Sequence, residues 1–283
     1  MVRNERAQWA RLDIDGVALL ADLAAGASLA RVLEFQGPQL RCFGAPAASS
    51  VPLEVGSFTG RVVRGASCNC STLTLTPHAN GTHTECVGHL TVERVDVHSL
   101  VPQRLLLAAL ITVEPEIAAD SREGSEPDPA DEDLLITRAR LEEAWPAPLA
   151  PLAPRLSARA VVIRTEPNEP QKFTDEYRAA APFLSAEAAS CLVERGIEHL
   201  VLDVPSADRS SDGGVLTAHR LFFGLPPGST QLAQAQRPGC TITELAYIGA
   251  ALADGWYLLG LQAPAIAGDA VPSRPVLYPI KVA

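Results

Sequence analysis

The segment Gly81-Thr82-His83-Thr84-Glu85-Cys86-Val87-Gly88-His89, preceded by His78, gathers three of the six histidines and one carboxylate of a 283-residue chain. Imidazole nitrogens and carboxylate oxygens at short spacing are the donor set of a divalent metal such as Zn2+ or Mn2+. A bound divalent metal polarises carbonyl oxygens and lowers the pKa of its water from 15.7 to about 7, which supplies hydroxide at neutral pH. No Gly-x-Ser-x-Gly elbow is present, which argues against a serine hydrolase.

The positioning element follows from side-chain parity. Ser71-Thr72-Leu73-Thr74-Leu75-Thr76 alternates polar and apolar residues as a strand does. If the chain remains extended, His83, Glu85, Val87 and His89 share one face, and Thr84, Cys86 and Gly88 take the other. His78 has the opposite parity, and a bulge at Asn80-Gly81 would bring it onto the His83 face. The plain alternative for His83, Glu85 and His89 is a polar strand facing water, and for His78 an ordinary turn histidine.

The remaining elements suit a mixed α/β (α+β) fold. Ile14 to Leu33 reads as partly helical. Leu105 to Ile111 reads as a buried strand, and 114–133 as an acidic, solvated surface loop. Thr137 is an expected N-cap, with Leu141 turned inward. Ala160–Thr165, the Ser185–Gly196 helix and His199–Val204 form a strand–helix–strand unit. Thr241–Leu252 reads as a helix or as a strand turning into one, and Tyr257–Leu261 and Val276–Ile280 as late strands. We expect residues 1–283 to form one domain.

Composition limits the partners. Hydrophobic residues make up 47% of the chain and the net charge is −10, with no basic stripe, so nucleic acid is not an expected partner. No apolar run reaches the roughly 20 residues that span a membrane. Met1–Arg6 is not followed by the apolar core of a signal peptide. Six scattered cysteines in a long chain predict reduced thiols and a cytoplasmic protein. Cys86 is expected in the core. Cys68-Asn69-Cys70 lacks a second pair and is expected to pack rather than to bind metal. His98 and His199 are expected to be structural. Asp203, Asp208 and Asp212 are expected to serve turns, and Arg274 to lie at the surface.

A divalent metal needs more ligands than one segment supplies. By residue type, the distal candidates are His219, after the Gly213-Gly214 turn, and Glu244, a carboxylate among apolar residues that is costly to bury unpaired.

The His-rich segment resembles the metal motif of the cyclase family, which includes bacterial-type kynurenine formamidases and isatin hydrolases. The family pattern is His-x-Gly-Thr-His-x-Asp-x-Pro-x-His. Here Gly81-Thr82-His83 is followed by Glu85 in the Asp place, Val87 in the Pro place and His89 at the end. His78 stands one residue earlier than the first family histidine. Further resemblance lies in Leu202–Asp208, His219 and Thr243-Glu244-Leu245, so it extends over roughly residues 12–283. The resemblance implies a swivelling β/β/α fold with a central mixed β-sheet flanked by helices. It implies His78, His83, Glu85, His219 and Glu244 as metal ligands, with Glu85 and Glu244 in bridging places, and His89 as the acid/base residue. One or two Zn2+ or Mn2+ ions are both compatible with it. It implies hydrolysis of a small non-peptide amide, an aryl formamide such as N-formylkynurenine or a lactam, by a homo-oligomer (dimer or tetramer). A cyclase or lyase, a lactone or ester hydrolase, and a binding module with a structural metal are the alternatives.

Overall fold

The computed structural model describes residues 7–147, 157–169, 172 and 181–283. Met1–Arg6, on which the signal-peptide reading rests, lies outside the described residues.

The chain opens with strands β1 (Trp9–Ile14) and β2 (Val17–Asp22), a hairpin where partial helix was expected. The reason is local: Asp15-Gly16 holds two consecutive positive φ angles, 51° and 82°, the turn that matches the twist of paired strands. After β3 (Ala27–Ser28), two small ribbons follow, β4 (Ser49–Pro52) with β7 (Ser71–Thr74), and β5 (Glu54–Val55) with β6 (Phe58–Thr59). The alternating Ser71–Thr76 stretch therefore forms an exposed ribbon strand and does not run on into the His-rich segment. A single helical turn α1 (Pro77–Asn80) separates it from β8 (His83–Cys86).

The centre of the molecule is built from apolar strands: β9 (Leu106–Val113), β12 (Ala160–Thr165), β14 (His199–Leu202) and β15 (Thr241–Glu244), which run parallel. Near-continuous apolar runs such as Leu106–Ile111 suit strands buried on both faces. The short strands β10 (Glu116–Ile117), β11 (Leu134–Ile136) and β13 (Phe183–Leu184) form a separate three-stranded sheet. The late strands are β16 (Gly255–Gln262), β17 (Ala270–Pro272) and β18 (Arg274–Val282). The large sheet runs β1-β2-β18-β16-β9-β12-β14-β15-β8-β17, with β3 also on β18. It is mixed, because β8, β16, β17 and β18 pair antiparallel with their neighbours.

Helices α2 (Arg138–Ala144), α3 (Ala186–Glu194) and α4 (Thr217–Phe223) cover one face. There Leu141, Ala188, Leu192, Phe222 and Phe223 pack on Ile111, Ile163, Leu200, Leu202 and Ile242. The opposite face, with Leu110, Val162 and Val201, packs against Leu29, Ala246, Ile248 and Leu277. Thr137 and Ser185 cap α2 and α3 through their side chains, as expected. The Thr241–Leu252 segment forms β15 and no helix, because Leu245 turns to a φ of 55° and ends the strand. The acidic 114–133 segment is not wholly solvated. Glu123 accepts hydrogen bonds from the Arg138 and Ala139 amides and from Ser185 Oγ, and so ties the starts of α2 and α3 together.

All six cysteines are free thiols, and Cys86 is fully buried. Among the described residues, no helix is long and apolar enough to cross a membrane.

His199 is structural, with Nδ1 2.9 Å from Thr241 Oγ1 on the neighbouring strand. Burial pushes its imidazole down to about 4, Arg104 and Arg159 push the same way, and Glu198 opposes them. An unfolded histidine titrates near 6.5, so the unfolded chain takes up this proton first as pH falls. The stability His199 contributes is therefore full above about pH 6.5 and is lost as pH falls toward 4. In thermal melts, His199→Gln should lose less Tm than the parent between pH 7.5 and 5, whereas equal losses would refute this linkage.

Candidate metal centre

The site lies where the parallel strands end. Because β8 runs antiparallel to β15, its first residue His83 pairs with the last, Glu244, and Glu85 pairs with Ile242. Residues opposite one another in a sheet share a face, so His83, Glu85 and Glu244 point together. The other face carries Thr84 and Thr243, whose hydroxyls meet at 2.7 Å. Parity thus holds for His83 and Glu85. It fails beyond Cys86, where Val87–His89 winds into a 3-10 turn. Val87 enters the core, and the turn brings His89 back to the site. Gly88 makes this return possible, since a Cβ there would stand 2.8 Å from the Val95 carbonyl oxygen.

His78 reaches the site by a route other than the expected bulge. Gly81 is extended, with a φ of 164°, and it is α1 that turns the chain. Pro77 opens the turn and Asn80 Oδ1 accepts the Thr76 amide hydrogen at 2.7 Å. His78 Nδ1 then lies 2.8 Å from Glu85 Oε2, and its Nε2 lies 2.9 Å from Asp269 Oδ2.

From the other side comes His219, in the first turn of α4. Its Nε2 is 2.6 Å from Glu85 Oε1 and 3.5 Å from Glu244 Oε1. Its Nδ1 donates to Asp208 Oδ2 at 2.6 Å, and Asp208 also accepts the Ala218 and His219 amides. Three donors fix the Asp208 carboxylate and with it the ring. Glu244 Oε1 accepts the Ala207 amide at 2.8 Å. The adjoining Leu245, buried at positive φ, costs roughly 1–2 kcal/mol of backbone strain.

All six sequence candidates therefore come together. Glu85 is common to two groups of donors, His78–His83–Glu85 and Glu85–His219–Glu244. A third group, His78–His89–Asp269, flanks them. His89 is the most open of the four site histidines; its ring stacks on that of His78 at 4.2 Å, and its Nδ1 is 3.4 Å from Asp269. Asp269 had no sequence signal: it precedes β17, whose Ala270 pairs with Glu85. Asp208 was legible only as a turn residue in a family-like stretch. Cys68-x-Cys70 and His98 join no such group among the described residues, and Arg274 is exposed, as expected.

The electrostatics call for positive charge. Burial favours the neutral form of Glu85, yet the charge and hydrogen bonds of His219 and His78 hold its carboxyl well below the usual range. Burial pulls His78 down, and the bonds to Asp269 and Glu85 overcome this and push it up to about 10. His219 is likewise buried, and Glu85 and Asp208 raise it well above the ordinary value. Asp269, bonded to His78 and then to His89, is held far below its ordinary value.

A divalent cation fits this donor set on one further observation. His83 is fully buried, and its Nδ1–H donates to the Gly81 carbonyl at 3.0 Å. Its Nε2 is turned toward the carboxylates, buried and with no hydrogen-bond partner. It faces Glu244 Oε2 at 3.5 Å and Glu85 Oε2 at 4.0 Å. An imidazole nitrogen and two carboxylates converging in a buried space form a donor set that a divalent cation fits.

Beside these groups lies a cavity of about 230 Å3 lined by His78, Glu85, His89, His219 and Glu244, with Phe43, Ser206, Arg209 and Ser210 among its other walls. Phe43, Ser210 and Arg41 line an adjoining cavity of about 340 Å3.

Comparison with known proteins agrees with this architecture. Residues 23–209 match the family model described as "Putative cyclase". The chain belongs to the cyclase family. The matched region contains His78 to His89 and Asp208 and stops before His219, Glu244 and Asp269. Among solved structures, the fold is similar to that of a protein described as a predicted metal-dependent hydrolase from Bacillus stearothermophilus. The two are 15% identical over 89% of this chain and 97% of that one, with a TM-score of 0.54. An isatin hydrolase bound to the product analogue thioisatinate is 17% identical over 91% and 93%, with a TM-score of 0.57. Isatin hydrolase A from Ralstonia solanacearum is 14% identical over 89% and 91%, with a TM-score of 0.55. At these identities the likeness is one of fold. A search of curated proteins finds no match.

A carboxylate on the far nitrogen of a metal-binding histidine fixes ring and tautomer, and its removal typically weakens metal affinity about 10–100-fold. Asp208→Asn should lower Zn2+ or Mn2+ affinity by that order in chelator competition. Unchanged affinity would show that His219 does not bind the ion.

Proposed function

We propose that the chain is a metal-dependent hydrolase of a small non-peptide amide, an aryl formamide of the N-formylkynurenine type or a lactam. The observation that carries the reading is the buried, unpartnered Nε2 of His83 converging with Glu85 and Glu244 beside a cavity of small-molecule size. His78, His83, Glu85, His219 and Glu244 would hold the cation. Glu85, shared by two donor groups, supports a pair of ions. The mixed nitrogen and oxygen donors suit Zn2+ or Mn2+. When bound, a divalent ion at these residues supplies Lewis acidity toward a carbonyl and lowers the pKa of water.

The protein's own residues do the rest. Asp208 and the Gly81 carbonyl fix the tautomers of His219 and His83, so that each presents Nε2 to the site. His89 is the proposed proton carrier. It lines the cavity and is held by stacking on His78 and by Asp269. A histidine so placed can deliver a proton to the departing amide nitrogen. Ser206 and Ser210 add hydroxyls to the cavity wall. The proposal extends to one catalytic unit over residues 1–283, a small-molecule substrate and a homo-oligomeric assembly.

His89→Ala tests the assignment of roles. Metal content by elemental analysis should stay at the parent level while kcat falls about 10²–10⁴-fold, the usual contribution of a positioned acid/base. Loss of metal together with activity would make His89 a ligand instead. In heavy-oxygen water the carboxyl or formate product must carry solvent oxygen, and an unlabelled product would exclude hydrolysis in favour of a cyclase or lyase.

A further inference from the structure

Phe43 occupies a left-handed position in a tight turn. Phe43 and Gly44 have φ angles of 57° and 71°, and the Ala45 amide donates to the Cys42 carbonyl at 3.0 Å. Two consecutive positive φ values across such a bond form a reverse turn that favours Asn, Asp or Gly at its centre. A bulky aromatic residue there is strained. Burial does not offset the strain, because Phe43 is 54% exposed.

The loop that presents Phe43 is nonetheless firmly built. Gln39 clamps its base with two hydrogen bonds of 2.9 Å to the backbone of Ala48. The Cys42 amide donates to the Ala79 carbonyl at 3.0 Å, and Asn80 Nδ2 donates to the Pro46 carbonyl at 3.1 Å. Leu40 and Cys42 pack with Ala79 and Leu245 in a small buried cluster. Ala79 follows His78 and Leu245 follows Glu244, so the loop is registered directly on two segments of the metal centre. Phe43 lies outside this cluster, and it lines both the cavity of the histidines and the adjoining one. Strain held by surrounding structure at the wall of a site points to use of the strained residue.

We propose that Phe43 determines substrate specificity as an aromatic platform that selects a planar aryl ring and leaves the attached amide facing His89. This rests on the reading that the cavity holds the substrate. A flat ring stacked on Phe43 gains dispersion and quadrupole attraction that a puckered saturated ring of the same size does not.

The test compares ligands that differ only in the ring. With metal-loaded full-length protein, calorimetry measures binding of benzoate and of cyclohexanecarboxylate. Assays measure kcat/KM for formanilide and for N-cyclohexylformamide. The parent should favour the aryl member, and Phe43→Leu should reduce that preference by about 2- to 12-fold, the scale of one aromatic pair. Phe43→Tyr, which keeps the ring, should retain it. In the assays the loss in Phe43→Leu should fall on KM for formanilide. An aryl preference unchanged in Phe43→Leu, or absent from the parent, would overturn the proposal. If neither formamide is hydrolysed by the parent, the formamidase reading fails, and the two acids still decide the role of Phe43.

Discussion

Two carboxylates buried at the end of a sheet govern this structure. Glu85 and Glu244 are almost wholly shielded from water. Taking such charges out of water costs several kcal/mol each unless positive charge or hydrogen bonds replace the solvent. The fold answers with histidines on every side. His78 and His219 bracket Glu85, one at each carboxylate oxygen, and His83 stands against Glu244. The Ala207 amide donates to Glu244 as well. Each partner comes from a different element, so the charge balance of one small volume ties together α1, β8, α4 and the loop after β14. The Nε2 of His83, buried and without a hydrogen bond, faces both carboxylates.

The sheet gives this cluster its rigidity. Apolar strands β9, β12 and β14 are buried on both faces and set the plane. The site occupies the carboxyl end of the parallel strands, where open α/β sheets place their ligands. Register does the positioning, since the pairing of His83 with Glu244 is set by backbone hydrogen bonds rather than by side-chain packing. The more exposed groups, His89 and Asp269, arrive on a 3-10 turn and on the approach to an edge strand. The buried groups His83, Glu85 and Glu244 thus lie on the stiff part of the fold, and the proposed proton carrier His89 lies on a tighter, more open connection.

Local residue order made part of this legible. The same-face placement of His83 and Glu85 needs only four residues of strand, and parity suffices for it. The capped helices beginning after Thr137 and Ser185 were likewise readable from their first residues. The sequence reading failed wherever the chain changed direction. Asp15-Gly16 carried a hairpin signal that outweighed the loose helical spacing around it. Thr76-Pro77 opened a helical turn at the end of an alternating, strand-like run. Leu245 took a left-handed conformation that no residue-type preference suggests, and it ended a strand whose sequence could continue as a helix. Asp269 and Asp208 act through partners far from them in sequence, and only the folded sheet shows those pairings. Phe43 was invisible for the opposite reason, because it goes against the preference of its own turn.

The three departures of the His-rich segment from the family pattern make sense together. A residue added to a strand lengthens the path by about 3.3 Å and reverses the side-chain face, whereas a residue added to a helix advances it by about 1.5 Å. Winding Pro77–Asn80 into a turn therefore absorbs the extra residue before Gly81 and leaves His78 within reach of Glu85. Glu in place of Asp adds a methylene, and in this chain that longer arm meets His78 with one oxygen and His219 with the other. Val in place of Pro sits fully buried at the start of the 3-10 turn, where apolar packing holds the bend that a fixed proline φ would otherwise favour. Each change alters how a side chain is delivered, and none removes a donor from the site.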